Sequence, residues 1–146
     1  MSSSPADRAV RLADIRDTPL DVDEVVKVLD DDASGGLTLF VGRVRDHDHG
    51  KDVTGLTYDA HPSALDRLVE VCERVAEQFQ VNGVAAVHRT GDLAIGDIAV
   101  VVATTSGHRG DAFAASRALI DTLKDEVPIW KHQSFADGTE EWVGSP

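Results

Sequence analysis

The clearest periodicity in the chain runs from residue 63 to residue 79, where apolar side chains recur at the spacing of one helical face. Apolar residues at i, i+3, i+4 and i+7 predict an amphipathic helix that begins after Pro62 and buries this face. The residues of the face are Leu65, Leu68, Val69, Cys72, Val75, Ala76 and Phe79. A helix with one such face requires a second layer of structure to cover it.

Short segments rich in β-forming residues lie on both sides of this helix and predict strands. Leu37 to Val44 is apolar on both faces, which predicts a buried strand, and Val53 to Ala60 predicts the strand that follows it. Gly83 to Arg89 and Asp97 to Thr105 predict an antiparallel hairpin, because only the short segment Gly91 to Gly96 joins them.

Helical spacing also predicts a helix from Asp21 to Asp30 and another from about Gly110 to Glu126. The longer one ends before Pro128, because the residue that precedes a proline is driven out of the helical region, and Ile129 to Phe135 is then extended. Its inward side chains are expected to be Ala112, Phe113, Ser116, Leu119, Ile120 and Leu123. This order of elements predicts a single α+β domain with a mixed, largely antiparallel β-sheet and two or three packed helices. Residues 1–6 and 144–146 are expected to be flexible.

The acidity of the chain limits the partners that it can bind. Asp and Glu number 26 against 14 Lys and Arg, for a formal net charge of -12, which disfavours nucleic acid and anionic membrane surfaces. Cys72 is the only cysteine, so no internal disulfide forms, and we expect a soluble protein of the reducing cytoplasm. Because Cys72 lies on an apolar helix face, it is predicted to act as a small hydrophobe.

The segment Asp46-His47-Asp48-His49 contains residue types that bind divalent metals. The sequence indicates no further ligand from a third element, so a solvated loop is the favoured interpretation. We therefore predict no metal site.

The basic side chains are few and stand where predicted strands and helices end. Arg43 and Arg45 follow one strand, His88 and Arg89 end another, and His108 and Arg109 precede a helix whose N-terminus favours anions. Lys124 and Lys131 flank the helix stop at Pro128, so a reversal of the chain there would direct both ammonium groups into one pocket. Taken singly, each Arg or His pair is better explained as a surface or salt-bridge feature, and the two lysines are equally compatible with exposed cations near a helix end. Convergence of these groups would indicate an anion-binding pocket.

Several of these segments occur in the order found in a known family. They are Phe40-Val-Gly-Arg-Val-Arg45, Tyr58 to Pro62, His88-Arg-Thr-Gly91, Ser106-Gly-His-Arg109, Asp121-Thr-Leu-Lys124, Pro128-Ile-Trp-Lys131 and Trp142-Val143. Over residues 35 to 143 the chain resembles the large, catalytic subunits of molybdopterin synthase. The resemblance departs from the family pattern after Lys131, where His132 and Gln133 replace a basic residue and Glu, and at Glu141, where a basic residue is usual.

The resemblance implies an enzyme that transfers sulfur without a cofactor of its own. The sulfur donor is the C-terminal thiocarboxylate of a small ubiquitin-like partner subunit, and the acceptor is cyclic pyranopterin monophosphate, which becomes the dithiolene of molybdopterin. It further implies a homodimer within a heterotetramer, with a pocket near the dimer interface. By position, the resemblance makes Lys124 the main catalytic residue and Lys131 the second catalytic residue. The expected substrate-binding residues are Arg43, Val44, Arg45, His108, Arg109, His132 and Gln133.

Two other functions fit the same residues. A Schiff-base lyase or aldolase would use Lys124 as an amine nucleophile on a carbonyl substrate. An acidic adaptor would bind the ubiquitin-like protein without chemistry.

Overall fold

Strands and helices alternate irregularly along the computed structural model, which describes residues 9–143. The ends that are expected to be flexible, residues 1–6 and 144–146, therefore lie outside the described residues. The three helices of the described part are α1 (Val22–Val28), α2 (Ala64–Gln78) and α3 (Arg109–Glu126). The strands are β1 (Val10–Arg16), β2 (Gly36–Arg43), β3 (His47–Asp48), β4 (Lys51–Ala60), β5 (Gly83–Arg89), β6 (Gly91–Leu93), β7 (Ile98–Ser106), β8 (Ile129–Phe135) and β9 (Glu140–Val143).

The strands form two sheets. The first has the order β1-β5-β7-β2, and the second has the order β3-β4-β8-β9 with β6 paired to β4. The pairing of β1 with β5 is parallel, and the other strand pairs are antiparallel. The predicted α+β class with a mixed, largely antiparallel arrangement is confirmed. Neither β1 nor the division into two sheets was evident from the pattern of residues.

Helices on both faces of the first sheet explain why β5 and β7 are buried along almost their whole length. Val84 and Ala86 face α2 and α3, and Ala85 and Val87 face α1, since successive side chains of a strand point to opposite faces. Cys72 is fully buried against the α2–α3 side, where burial raises the pKa of its thiol to about 12. Its predicted structural role is confirmed.

Three expectations about burial are wrong. Phe113 is 63% exposed and Leu65 is 40% exposed, although both were assigned to inward helix faces. Strand β2 is not buried, because it forms an edge of the first sheet and leaves Leu37, Leu39 and Phe40 about 40% exposed. Apolar spacing identifies a face that avoids water, but it does not show whether the same chain covers that face.

The turn after α3 determines where the candidate site forms. Val127 leaves the helical region with φ -84° and ψ 120°, as predicted for a residue that precedes Pro128. The chain then reverses into β8, which pairs with β4. None of the helices within residues 9–143 is long and apolar enough to span a membrane.

Candidate active site

Lys124 and Lys131 lie on opposite sides of the reversal at Pro128 and face the same space. Lys124 is in the last turn of α3, and Lys131 is on β8, opposite Tyr58 of β4. Two cavities, of about 220 and 350 Å³, are both lined by Lys124, Lys131 and Tyr58. The structure therefore brings together the two lysines that sequence spacing alone left open.

The environment of Lys124 makes its ammonium lose a proton more easily than that of an ordinary lysine. The residue is exposed to solvent, yet the surrounding protein atoms remove part of the water from the ammonium. This desolvation lowers the pKa of Lys124, and the positive charge of Lys131 lowers the pKa further. An amine with a lowered pKa exchanges protons more readily near neutral pH than an ordinary lysine does.

The smaller cavity has a largely apolar wall that also contains His88. Only 5% of His88 is exposed, its ring packs edge-on against Tyr58 at 4.9 Å between ring centres, and its Nδ1 lies 2.7 Å from the carbonyl oxygen of Arg89. Burial lowers the pKa of His88 to about 4, with a smaller effect from the charge of Lys124. Burial also raises the pKa of Tyr58. His88 was noted in the sequence as one of the few basic side chains at a strand end, and both His88 and Tyr58 lie in the segments that resemble the family, but neither was assigned a site role, because residue type alone does not indicate a pocket.

The larger cavity contains the predicted segment Arg43, Val44 and Arg45. Val44 is 4% exposed, and its backbone N–H and carbonyl are hydrogen-bonded to the Gly96–Asp97 turn. Only its side chain is therefore available to line the cavity. Arg43 donates from Nε to the carbonyl oxygen of Gly96 at 3.2 Å, and Arg45 donates to Asp48 at 3.0 Å. Both arginines remain exposed, so their guanidinium groups are available to an anion.

Gln133 connects the two departures from the family pattern. It lines the larger cavity, is 2% exposed and pairs across the sheet with Glu141. Its side-chain nitrogen donates to Asp48 at 2.7 Å and to Glu141 at 3.3 Å. The bond from Gln133 is the main reason that the pKa of Asp48 is lowered.

Glu141 also lies close to two other side chains of kinds that bind metals, a grouping that was not evident from the sequence. Asp48, His49 and Glu141 each place one such atom within 4.8 Å of the others. Gln133 donates to both carboxylates, and Arg45 donates to Asp48. Because the carboxylates already accept these hydrogen bonds, their oxygens do not need a metal ion as a partner. We therefore keep the prediction that no metal binds here.

Three of the predicted binding residues lie away from the cavities. His132 points to the other face of β8, where its ring lies 4.6 Å from Trp142 and its Nε2 lies 3.6 Å from Glu140. His108 and Arg109 lie at the start of α3, and Lys124 is 15 positions after Arg109, a distance of about 22 Å along the helix at 1.5 Å per residue. Within one copy of the chain, these two residues do not reach the lysines.

Comparison with known proteins identifies the family. The model of the MoaE protein family matches residues 15–126. The molybdopterin synthase catalytic subunit 1 of Mycobacterium tuberculosis is 43% identical over 99% of this chain and 98% of its own length. The corresponding Bacillus subtilis protein is 36% identical over 90% of this chain and 83% of its length.

A solved structure extends the likeness to three dimensions. The molybdopterin synthase structure from Staphylococcus aureus superposes with a TM-score of 0.84 and 32% identity, covering 90% of this chain and 96% of the other. The chain therefore belongs to the MoaE protein family of molybdopterin synthase catalytic subunits, and the prediction of an enzyme of this family is confirmed.

Proposed function

We propose that this chain catalyses sulfur transfer from the C-terminal thiocarboxylate of a small ubiquitin-like partner subunit to cyclic pyranopterin monophosphate. The product is the dithiolene of molybdopterin, formed in two transfers. The observation that carries this proposal is that Lys124 and Lys131 line both cavities, with Arg43 and Arg45 in the larger cavity.

The charge of these residues suits both reactants. The pterin phosphate and the thiocarboxylate are anions, and four cationic side chains line the cavities of a chain whose net charge is -12. Charge-assisted hydrogen bonds from Arg43 and Arg45 hold the phosphate, and Lys131 offsets the charge of the incoming sulfur. The partner brings the nucleophile, so this chain contributes positioning and charge neutralisation.

Lys124 supplies the proton transfer. The thiocarboxylate sulfur forms a bond to a pterin carbon, and the oxygen displaced from that carbon leaves with a proton that the Lys124 ammonium donates. Water then cleaves the bond between the partner's carbonyl carbon and the sulfur, which releases the partner with an ordinary carboxylate. The amine form of Lys124, favoured by its lowered pKa, accepts a proton from this water.

A second copy of the chain completes the site with His108 and Arg109. Helix α3 lies along the edge strand β2, with Thr38 bonded to the carbonyl oxygen of Ala112 and Gly36 next to the backbone of Arg109. The other end of β2, at Arg43, borders the cavity that contains Lys124. An antiparallel pairing of two β2 edges about a twofold axis exchanges these ends. It therefore brings Arg109 of the second copy toward Arg43 and Arg45.

The surface beside β2 suits this second copy. A groove of about 470 Å³ is lined by Leu37, Leu39, Phe40, Phe113 and Ile120, among others, and Phe40 also lines the larger cavity. Exposed apolar side chains of this kind on an unpaired edge strand are otherwise a liability for aggregation. We infer a homodimer through this groove and, with one small subunit for each copy, a heterotetramer. The cytoplasmic location and the lack of a cofactor remain part of the proposal.

A reconstituted reaction tests the function. The chain is mixed with the small subunit in its thiocarboxylate form and with cyclic pyranopterin monophosphate, and the dithiolene product is measured. The matched control is the same small subunit with an ordinary C-terminal carboxylate, which has no sulfur to transfer. Product with the thiocarboxylate alone supports the proposal, and no product with either form contradicts it. Partner binding without product in a folded complex would instead favour the adaptor.

The lowered pKa of Lys124 also fits a Schiff-base lyase, since such enzymes require a neutral lysine amine. Borohydride reduction distinguishes the two functions. A lyase is trapped as a covalent adduct at Lys124 when a carbonyl substrate is present, and it turns over without the small subunit. We expect no adduct with the cyclic pterin and an absolute requirement for the thiocarboxylate.

A further inference from the structure

His88 lies in the wall of the smaller cavity and has no part in the sulfur transfer described above. It stands at the end of β5 and is 5% exposed, and it shares the cavity lining with Lys124, Lys131 and Tyr58. Its ring is fixed from two sides, by the edge-on contact with Tyr58 and by the bond of Nδ1 to the Arg89 carbonyl. A buried imidazole held in this way has a defined orientation.

The bond to Arg89 also defines which ring nitrogen carries the proton. A carbonyl oxygen only accepts hydrogen bonds, so Nδ1 must be the protonated nitrogen. Because burial keeps the ring neutral at physiological pH, Nε2 is left with a lone pair and no proton. Within residues 9–143, the hydrogen bonds of His88 use Nδ1, and none uses Nε2.

The cavity is rich in hydrogen-bond donors and poor in acceptors. In their ammonium forms Lys124 and Lys131 only donate, and the remaining side chains of the lining besides Tyr58 and His88 are apolar. A ligand that fills the cavity with a heterocyclic ring presents N–H groups of its own, and each of these loses free energy if it is buried without an acceptor. The Nε2 lone pair is suited to receive one of them.

We propose that His88 is a substrate-binding residue whose Nε2 accepts a hydrogen bond from a ring N–H of the pterin, while the cationic side chains hold its anionic groups. This inference rests on the proposed function, because the pterin is the ligand named there. It assigns the smaller cavity to the heterocycle and the Arg43–Arg45 side of the larger cavity to the phosphate. The orientation of the pterin relative to Lys124 follows from these two anchors.

Two substitutions separate the roles of the two ring nitrogens. In H88N, the amide nitrogen can replace Nδ1 and keep the bond to the Arg89 carbonyl, but nothing replaces Nε2. In H88Q, the longer amide reaches the position of Nε2 and offers an acceptor there, but the bond to Arg89 is lost. We therefore expect H88N to retain the stability of the fold and lose pterin affinity, and H88Q to do the reverse.

The measurement uses the complex with the small subunit in its ordinary carboxylate form, which binds without reacting. Calorimetric titration with cyclic pyranopterin monophosphate should give a dissociation constant about tenfold higher for H88N than for wild type, and one within about twofold of wild type for H88Q. Inorganic phosphate is the second probe, and its affinity should be unchanged in both variants. Wild-type pterin affinity in folded H88N overturns the inference, and so does an equal loss for pterin and phosphate.

A measurement on the wild-type chain covers the case in which a variant does not fold. Nitrogen NMR of labelled histidine reports the lone pair of Nε2 directly, and its resonance should move on addition of the pterin and stay in place on addition of phosphate. If pterin binds and the Nε2 resonance does not move, the role of His88 is overturned and the proposed function is not. If the wild-type complex binds no pterin at all, the proposed function itself fails, so the two failures are distinguishable.

Discussion

Gln133 and Glu141 face each other across β8 and β9, and the side-chain nitrogen of Gln133 lies 3.3 Å from a carboxylate oxygen of Glu141. The family resemblance implies Glu and a basic residue at these two positions, so relative to that pattern the acidic group stands on the other strand and Gln133 is a donor in place of an acceptor. The same nitrogen donates to Asp48, which also accepts a bond from Arg45, so this exchange of side chains is linked by contacts to the larger cavity.

This exchange predicts strong coupling between the two positions. Q133E places a nearly buried carboxylate beside Asp48 and Glu141, and an uncompensated buried charge costs about 3 kcal/mol or more. E141R in the same chain supplies the opposite charge and should recover most of the loss. Urea unfolding of wild type, both single variants and the double variant gives the coupling energy. A coupling energy near zero would show that the two positions act independently.

Lys124 is predicted to carry the proton transfer. K124A should lower product formation by about 100-fold or more, the usual effect of losing a general acid or base, and leave the fold and the binding of the small subunit intact. The matched control is K27A, because Lys27 is exposed on α1 and lines neither cavity. The measurements are single-turnover product formation and circular dichroism. Near-normal turnover in folded K124A removes this residue from the mechanism.

The charge of Lys131 is predicted to act on Lys124. Burial is the larger cause of the lowered pKa of Lys124, and Lys131 is the second. K131M should therefore raise the pKa of Lys124 part of the way toward its ordinary value, while the effect of burial remains. NMR titration of carbon-13 methylated lysines measures this change. K51M, which removes a lysine that lines neither cavity, is the control and should leave the titration of Lys124 unchanged.

The lowered pKa of His88 predicts that the stability of the fold depends on pH. The pKa of His88 falls from 6.5 in the unfolded chain to about 4 in the fold, so between these values the unfolded chain binds a proton that the folded chain does not. Its contribution is present in full above pH 6.5 and declines as the pH falls toward 4, by up to ~3 kcal/mol. We expect the free energy of unfolding to fall less in H88N than in wild type over this range. Equal pH dependence in both proteins would contradict the neutral, buried imidazole.

The distance between Arg109 and Lys124 along α3 predicts that variants complement each other. R109A and K124A homodimers should each be nearly inactive. If Arg109 acts on the site of the second copy, a mixed dimer has one site with both defects and one intact site, so an equal mixture after subunit exchange should recover about a quarter of wild-type activity. Single-turnover assays before and after exchange measure this recovery. Mixtures that stay inactive after verified exchange would place both residues in the site of one copy.

The sequence by itself determined the local elements and the family. Its periodicity predicted α2, the hairpin of β5 and β7, and the end of α3 before Pro128, because these features depend on residues close together in the chain. The ordered motifs identified the family for a similar reason, since each lies within a few residues. The sequence also predicted that Lys124 and Lys131 would share a pocket if the chain reversed between them.

The tertiary structure decided which groups share a space. Tyr58 and His88 come from different strands, and they join the two lysines only because β4 pairs with β8 and α3 crosses the first sheet. Phe113 and β2 were expected to be buried, but both are exposed. An apolar pattern shows that a surface avoids water, and it does not show which surface covers it. The family resemblance assigned Arg109 and Lys124 to one functional site. In the structure they lie at opposite ends of α3, and a helix is too stiff to bring its two ends together.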